Sequence, residues 1–196
     1  MKKMVTTKEI NTPINIIPTV RNVDHVGYSV PNLEEAIDFF VNVIGCQLLY
    51  RGGPFEYPNS DWMKTHLNAD TNASLNLAML RCGPVTNLEL LEFKTSNQKQ
   101  VLPKSSDLGG HHLAFYVTDI DRAVDYLRKH SGVKILCGPT TITDQPNEGY
   151  TFVYFFTPWG LQMELVSYPT DMPYEQTTKA RLFGPVSSWN ENQNNF

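Results

Sequence analysis

The sequence predicts an α+β domain built from two tandem βαβββ modules. Three observations carry this prediction. The chain repeats itself without a gap. Each copy opens on a period-two apolar pattern that gives way to a helical one, and each helix is followed by three more strand-like runs. At 196 residues there is room for one domain with a full core, or for two half-domains that share one.

Shifted by 87 positions, Asp24–Leu49 lands on His111–Leu136. His25 falls on His112, Val30 on Val117, Ala36 on Ala123, Asp38 on Asp125, Gly45 on Gly132 and Leu49 on Leu136. In the first copy Val26, Tyr28 and Val30 alternate with His25, Gly27 and Ser29, as in a strand with one face in a core. Leu113, Phe115 and Val117 repeat this opposite His112, Ala114 and Tyr116. Asn32 and Asp119 can cap the helices that follow. Leu33, Ala36, Ile37 and Phe40, then Ile120, Ala123, Val124 and Leu127, form the apolar stripes of two core-facing helices. Gly45 and Gly132 are placed to end them in a left-handed conformation. The later strand runs are Gln47–Arg51, Ser74–Leu80 and Asn87–Phe93, then Lys134–Cys137, Thr151–Phe156 and Gln162–Tyr168.

The repeat sets the expected boundaries. A domain at 21–168 divides into module one, 21–94, and module two, 108–168. Residues 1–20 form an N-terminal arm, where Pro13 and Pro18 argue against a helix, and the polar, Asn-rich residues 169–196 form a C-terminal extension. The long connection Gly52–Asn72 holds Ser60-Asp61-Trp62-Met63-Lys64, which reads as a short capped helix.

Composition excludes several classes. With 41% hydrophobic and 18% charged residues the chain reads as soluble and globular. A net charge of −4 without a basic stripe argues against nucleic acid as a partner. Cys46, Cys82 and Cys137 are odd in number and far apart, so three reduced thiols are expected. Polar residues follow Met1-Lys2-Lys3 in place of an apolar run, and no stretch approaches membrane-spanning length; a cytoplasmic location is the expectation.

His25 and His112 stand at one position of the repeat, each opposite the apolar strand face. Glu89 and Glu164 are likewise matched, in Asn87-Leu88-Glu89-Leu90-Leu91 and Gln162-Met163-Glu164-Leu165-Val166. A carboxylate among apolar neighbours is costly unless a cation sits beside it, and neither strand carries Lys or Arg. Two imidazoles and two carboxylates suit one octahedral divalent ion: iron, manganese, cobalt, nickel, zinc or magnesium. Glu92 points to the opposite face from Glu89 and reads as a strand-end surface charge, His111 should point away from His112, and His66 and His130 read as solvated.

These residues resemble the vicinal oxygen chelate superfamily, the group of glyoxalase I, methylmalonyl-CoA epimerase, extradiol dioxygenases and bleomycin- and fosfomycin-resistance proteins. The motifs that carry the resemblance are Asp24-His25-Val26-Gly27-Tyr28-Ser29-Val30, Asn87-Leu88-Glu89-Leu90-Leu91, Gly110-His111-His112-Leu113-Ala114-Phe115 and Gln162-Met163-Glu164-Leu165. It implies paired modules curling into a U-shaped sheet around a metal site, usually with dimerisation. Extradiol dioxygenases lack a ligand at the Glu89 position, whereas the isomerase-type members have one there. The general likeness is to the epimerase branch, including sugar-derived cyclitol epimerases. One departure stands out. The second catalytic glutamate of methylmalonyl-CoA epimerase sits on the strand matching Ser74–Leu80, where this chain has Asn76.

The resemblance implies a divalent-metal-dependent isomerase, epimerase or lyase: a small-molecule substrate with two adjacent oxygens chelates the ion, which stabilises an enediolate while Glu164 removes the α proton. His25, Glu89 and His112 would remain as ligands. Trp62, on the connection, could cover an apolar part of the substrate. Asn76 and, by strand parity, Thr151, Val153 and Phe155 are expected to face it. Two competing expectations are an iron-dependent dioxygenase, with Glu89 a bystander, and a non-catalytic sequestering protein of the bleomycin-resistance type.

Overall fold

The structure is a computed structural model that describes residues 17, 19–20, 22–178 and 182. Most of the N-terminal arm, and the C-terminal extension after residue 178 except Leu182, lie outside the described residues.

The first module runs β1 (His25–Ser29), α1 (Leu33–Asp38), β2 (Gln47–Phe55), α2 (Trp62–Leu67), β3 (Ser74–Cys82) and β4 (Thr86–Lys94). The second runs β5 (Leu113–Tyr116), α3 (Ile120–Leu127), β6 (Lys134–Ile135), β7 (Thr140–Thr141), β8 (Thr151–Phe156) and β9 (Gln162–Ser167). Each module makes its own sheet, in the orders β1-β4-β3-β2 and β5-β9-β8-β6, with β7 also paired to β8. In both, the opening strand lies parallel to the last strand of its module and forms one end of that order. The α+β expectation therefore holds. Among the described residues no helix is long and apolar enough to cross a membrane.

The helix starts follow from their caps. Asn32 Oδ1 accepts from Glu35 N at 3.0 Å, and Asp119 Oδ1 accepts from Arg122 N at 3.0 Å. The apolar stripes are buried: Ala36 and Phe40 are fully enclosed, and Leu33, Ile37, Ile120, Val124 and Leu127 nearly so. The helix ends differ between the copies. After α1 the chain continues as a π-helical stretch, Phe39–Ile44, and Gly45, at φ 93°, caps it as expected. By contrast α3 stops at Leu127, short of Gly132. Gly132, at φ 81°, is needed for another reason: a Cβ there would meet Pro158 Cβ at 2.9 Å.

One core cluster draws on both modules. Tyr28, Val30, Ala78, Leu80, Leu88 and Leu90 of the first module share it with Val153, Phe155, Met163 and Leu165 of the second, together with the buried residues of α1 and α3. Trp159 packs edge-on against Phe39 at 5.5 Å between ring centroids. The alternation this imposes leaves Glu89 and Glu164 on the faces turned away from the shared core.

The cysteine expectation is corrected. Cys46, just after the π-helical stretch, and Cys82, ending β3, form a disulfide with a Cα–Cα distance of 4.4 Å, while Cys137 is free and exposed. Sequence spacing gave no hint because the β2–β3 pairing, with Gln47 opposite Arg81, is what brings the two together.

Candidate active site

Two imidazole–carboxylate pairs stand at equivalent places. In the first sheet the parallel β1–β4 register sets Gly27 beside Glu89, and His25 Nε2 lies 3.5 Å from Glu89 Oε2. A side chain at position 27 would lie close to that carboxylate, since a Cβ there would be 3.6 Å from Oε2. In the second sheet Ala114 stands beside Glu164, and His112 Nε2 lies 3.0 Å from Glu164 Oε2. The repeat thus reproduces the pairing as well as the residues.

The surroundings of the pairs differ. Asp24 Oδ2 is 2.8 Å from His25 Nδ1, which orients the ring and turns Nε2 toward Glu89. This hydrogen bond, chiefly, raises the His25 pKa; burial opposes it, and the charges of Glu89 and Asp24 add to it. Glu164 is buried, and that burial raises its carboxyl above the ordinary range, against the opposing charge and hydrogen bond of His112. Tyr154 faces Glu164 directly across β8–β9, and its ring lies edge-on to His112 at 5.1 Å. Burial, followed by the charges of Glu164, Tyr168 and Tyr154, pushes Tyr150 up to about 12. Burial and the neighbouring Tyr154 and Tyr150 therefore set the second carboxylate apart from the first.

The donor spacing suits a metal ion. With bonds of about 2.1 Å, neighbouring ligands of an octahedral or tetrahedral ion sit about 3.0 to 3.4 Å apart. The 3.0 Å pair meets this and the 3.5 Å pair is within a tenth of it. The four residues come as two pairs: among the described residues no group of three or more His, Cys, Asp or Glu side chains is placed to hold an ion.

The other expected contacts are relocated. Asn76 lies on the core-side face of β3, opposite Glu92, and donates to Glu92 Oε2 at 3.3 Å. Glu92 is not a surface charge either. Its side chain is 13% exposed, it accepts from Leu33 N at the start of α1, and Lys94 lies 3.4 Å away. Phe155 is fully buried and Val153 nearly so, both in the core, because Phe155 pairs with Met163 and Glu164 pairs with Tyr154. Thr151 shares that parity, and its hydroxyl is 2.9 Å from that of Thr141. Trp62 stacks on Tyr57 and His66 at 4.2 and 4.6 Å within its own connection. His111 is turned from His112 as expected, and its ring stacks on Tyr28 at 5.2 Å.

Sequence reasoning missed two residues that touch the pairs. Asp24 was visible as the residue before His25. Tyr154 was hidden because β8, Thr151–Phe156, is bulky on both faces; the expected parity put Thr151, Val153 and Phe155 on the site side, and the register shows the reverse.

Residues 22–165 match the family model described as the Glyoxalase/Bleomycin resistance protein/Dioxygenase superfamily, and the chain belongs to that superfamily. It is 48% identical over 177 residues to a 2-epi-5-epi-valiolone epimerase of Actinomyces sp, covering 90% of this chain and 96% of that relative. This similarity supports an enzyme of the isomerase or epimerase type. A glyoxalase family protein from Bacillus cereus superimposes with a TM-score of 0.59 at 22% identity, covering 81% of this chain and 99% of that one. One from Enterococcus faecalis gives 0.53 at 23% identity, covering 74% and 97%. These two structures share the fold.

Proposed function

We propose that the chain epimerises a polyhydroxylated cyclic ketone, inverting a carbon next to the carbonyl by removing its proton and returning one to the other face. The observation that carries this reading is the buried Glu164, paired to His112 and held above the ordinary carboxylate range. A desolvated carboxylate of raised pKa is a stronger base, suited to taking a proton from carbon near neutral pH. Similarity to a 2-epi-5-epi-valiolone epimerase over 90% of the chain supports a cyclitol ketone as the substrate class.

In this reading Glu164 accepts the α proton, and His112 orients it through the 3.0 Å contact. Tyr154, opposite Glu164 on the neighbouring strand, is a hydrogen-bond donor for a substrate hydroxyl. Inversion needs a second proton-bearing group. Neither β3 nor β8 carries a carboxylate, which leaves Glu89 of the other pair for that part. One divalent ion (iron, manganese, cobalt, nickel, zinc or magnesium) held by His25, Glu89, His112 and Glu164 would supply positive charge against which an enolate oxygen develops its own. The dioxygenase reading makes Glu89 a bystander. Against that, Glu89 contacts its histidine as Glu164 does.

The test is a proton NMR time course with 2-epi-5-epi-valiolone and metal-loaded protein. Inversion at one carbon beside the ketone is expected. No change in the ketone, with oxygen uptake on a catechol, would turn the assignment to a dioxygenase.

A further inference from the structure

The sheet faces that carry the two glutamates differ in chemistry. Strand parity puts Tyr116, Tyr150, Tyr154 and Tyr168 on the same face as Glu164. The matching places on the Glu89 face, read from the equivalent registers, hold Ser29, Leu75, Met79 and Phe93. Module two therefore carries a hydroxyl at all four places and module one at a single one. Leu75 and Met79 are buried, whereas the four tyrosines are half-buried.

Tyr150 is held from several sides. Its N–H donates to Asn147 O at 3.0 Å, and its carbonyl accepts from Ile142 N at 2.8 Å. Its ring stacks on Tyr168 at 5.3 Å with the planes 5° apart, and Tyr116 braces Tyr168 edge-on at 5.0 Å. Gly149, at φ 89°, lets the chain enter β8 against Pro169, whose Cγ would lie 2.9 Å from an added Cβ. The Glu164 charge is felt at Tyr150 as it is at Tyr154, so both hydroxyls lie in the field of that carboxylate. Tyr154 faces Glu164 directly, and Tyr150 is four residues away on the same strand, about 13 Å along the backbone. Phe152 lies between them on that face.

We propose that Tyr150 is a specificity-determining residue, bonding a substrate hydroxyl on a carbon remote from the ketone and so selecting a polyhydroxylated ring. The proposal rests on the epimerisation above, in which Glu164 marks the reacting carbon. Only the ketone and the hydroxyl beside it are engaged at that carbon. Each remaining hydroxyl leaves water on binding and costs free energy unless a protein group replaces the water. A phenol does so as donor or acceptor, and the stack behind Tyr150 fixes its direction before the substrate arrives. Phe152 offers the C–H face of the ring an apolar floor between the two phenols. A site built to bond a hydroxyl discriminates against the analogue that lacks it.

The test compares wild type and Tyr150→Phe, both metal-loaded, on two ketones. One is 2-epi-5-epi-valiolone; the other is 2-hydroxycyclohexanone, which keeps the ring, the ketone and its neighbouring hydroxyl but lacks the rest. Deuterium entry from D₂O beside the carbonyl gives kcat/KM for each. Tyr150→Phe should lower the ratio of the two values, polyol over hydroxycyclohexanone, by about three- to tenfold, chiefly through the KM of the polyol. Phenylalanine keeps the ring and its stack, and a structural disturbance would act on both ketones alike. An unchanged ratio overturns the role of Tyr150. Should wild type exchange either ketone too slowly to measure, NMR titration of 2-epi-5-epi-valiolone decides. A Kd raised about three- to tenfold in Tyr150→Phe keeps the hydroxyl contact, even if absent epimerisation sinks the proposed reaction. Equal Kd values, or no binding by wild type, overturn it.

Discussion

The two modules carry the same histidine and glutamate in the same strands, yet they treat the glutamate differently. In module one the Glu89 side chain is 23% exposed, faces Met79 across β3–β4, and its histidine is held by Asp24. In module two the Glu164 side chain is 8% exposed, faces Tyr154 across β8–β9, and its histidine is packed by an aromatic edge. Both copies carry the pair, and divergence of one facing residue, Met79 against Tyr154, accompanies a difference in the solvation of the two carboxylates. The lesson is that a repeat can keep a histidine–glutamate pair in both copies while desolvating the carboxylate of one copy only.

If the comparison holds, Glu164→Gln should have the largest effect, cutting kcat by about 10²–10⁴-fold, because it removes the proton acceptor. Loss of the substrate's α proton in Glu164→Gln beside Glu89→Gln would sharpen the contrast: both variants should lose inversion, but equal loss of proton removal, with full metal content in both, would break it. Next, Asp24→Asn should weaken metal affinity or activity by about 10–100-fold, through loss of the group orienting His25, as read by metal titration. Module two has no counterpart, because His111 occupies the position of Asp24.

Phe155→Ala should cost about 3–5 kcal/mol in urea unfolding, the penalty for truncating a fully buried phenylalanine. An effect on KM alone, at unchanged stability, would return Phe155 to the substrate side.

The burial of Glu164 also has a pH signature. Its folded carboxyl is raised above its unfolded value, so the folded state binds the proton more tightly. This group's contribution is therefore fully present below 4.5 and is lost as pH rises from there through the folded value. Thermal melts of metal-free protein should show Glu164→Gln gaining stability over wild type as pH rises through that interval. A constant difference would contradict the buried, raised carboxyl.

The smallest effect is expected at Tyr154→Phe, a loss of about three- to tenfold in kcat/KM, the size of one hydrogen bond. It should leave the melting temperature nearly unchanged.

The repeat made much of this legible. It marked β1 and β5, both helix caps and stripes, and the members of both histidine–glutamate pairs, because a duplicated pattern distinguishes a placed histidine from an incidental one. Three things were out of reach for physical reasons. Strands such as Thr151–Phe156 and Ser74–Cys82 carry apolar side chains on both faces, so only register could tell Tyr154 from Phe155, or show Asn76 bonding Glu92. The Cys46–Cys82 disulfide depends on a β2–β3 pairing that spacing does not reveal. Matching positions in a repeat show that two places are equivalent, not that they are adjacent, so the separation of the pairs could not be read either.

The account stands most directly on one measurement, deuterium entry from D₂O into the ketone at the carbon beside its carbonyl. Metal-loaded wild-type protein should introduce one deuterium per inversion, and Glu164→Gln, loaded to the same metal content, should introduce almost none. Undiminished exchange by the Glu164→Gln protein would show that another group takes the proton.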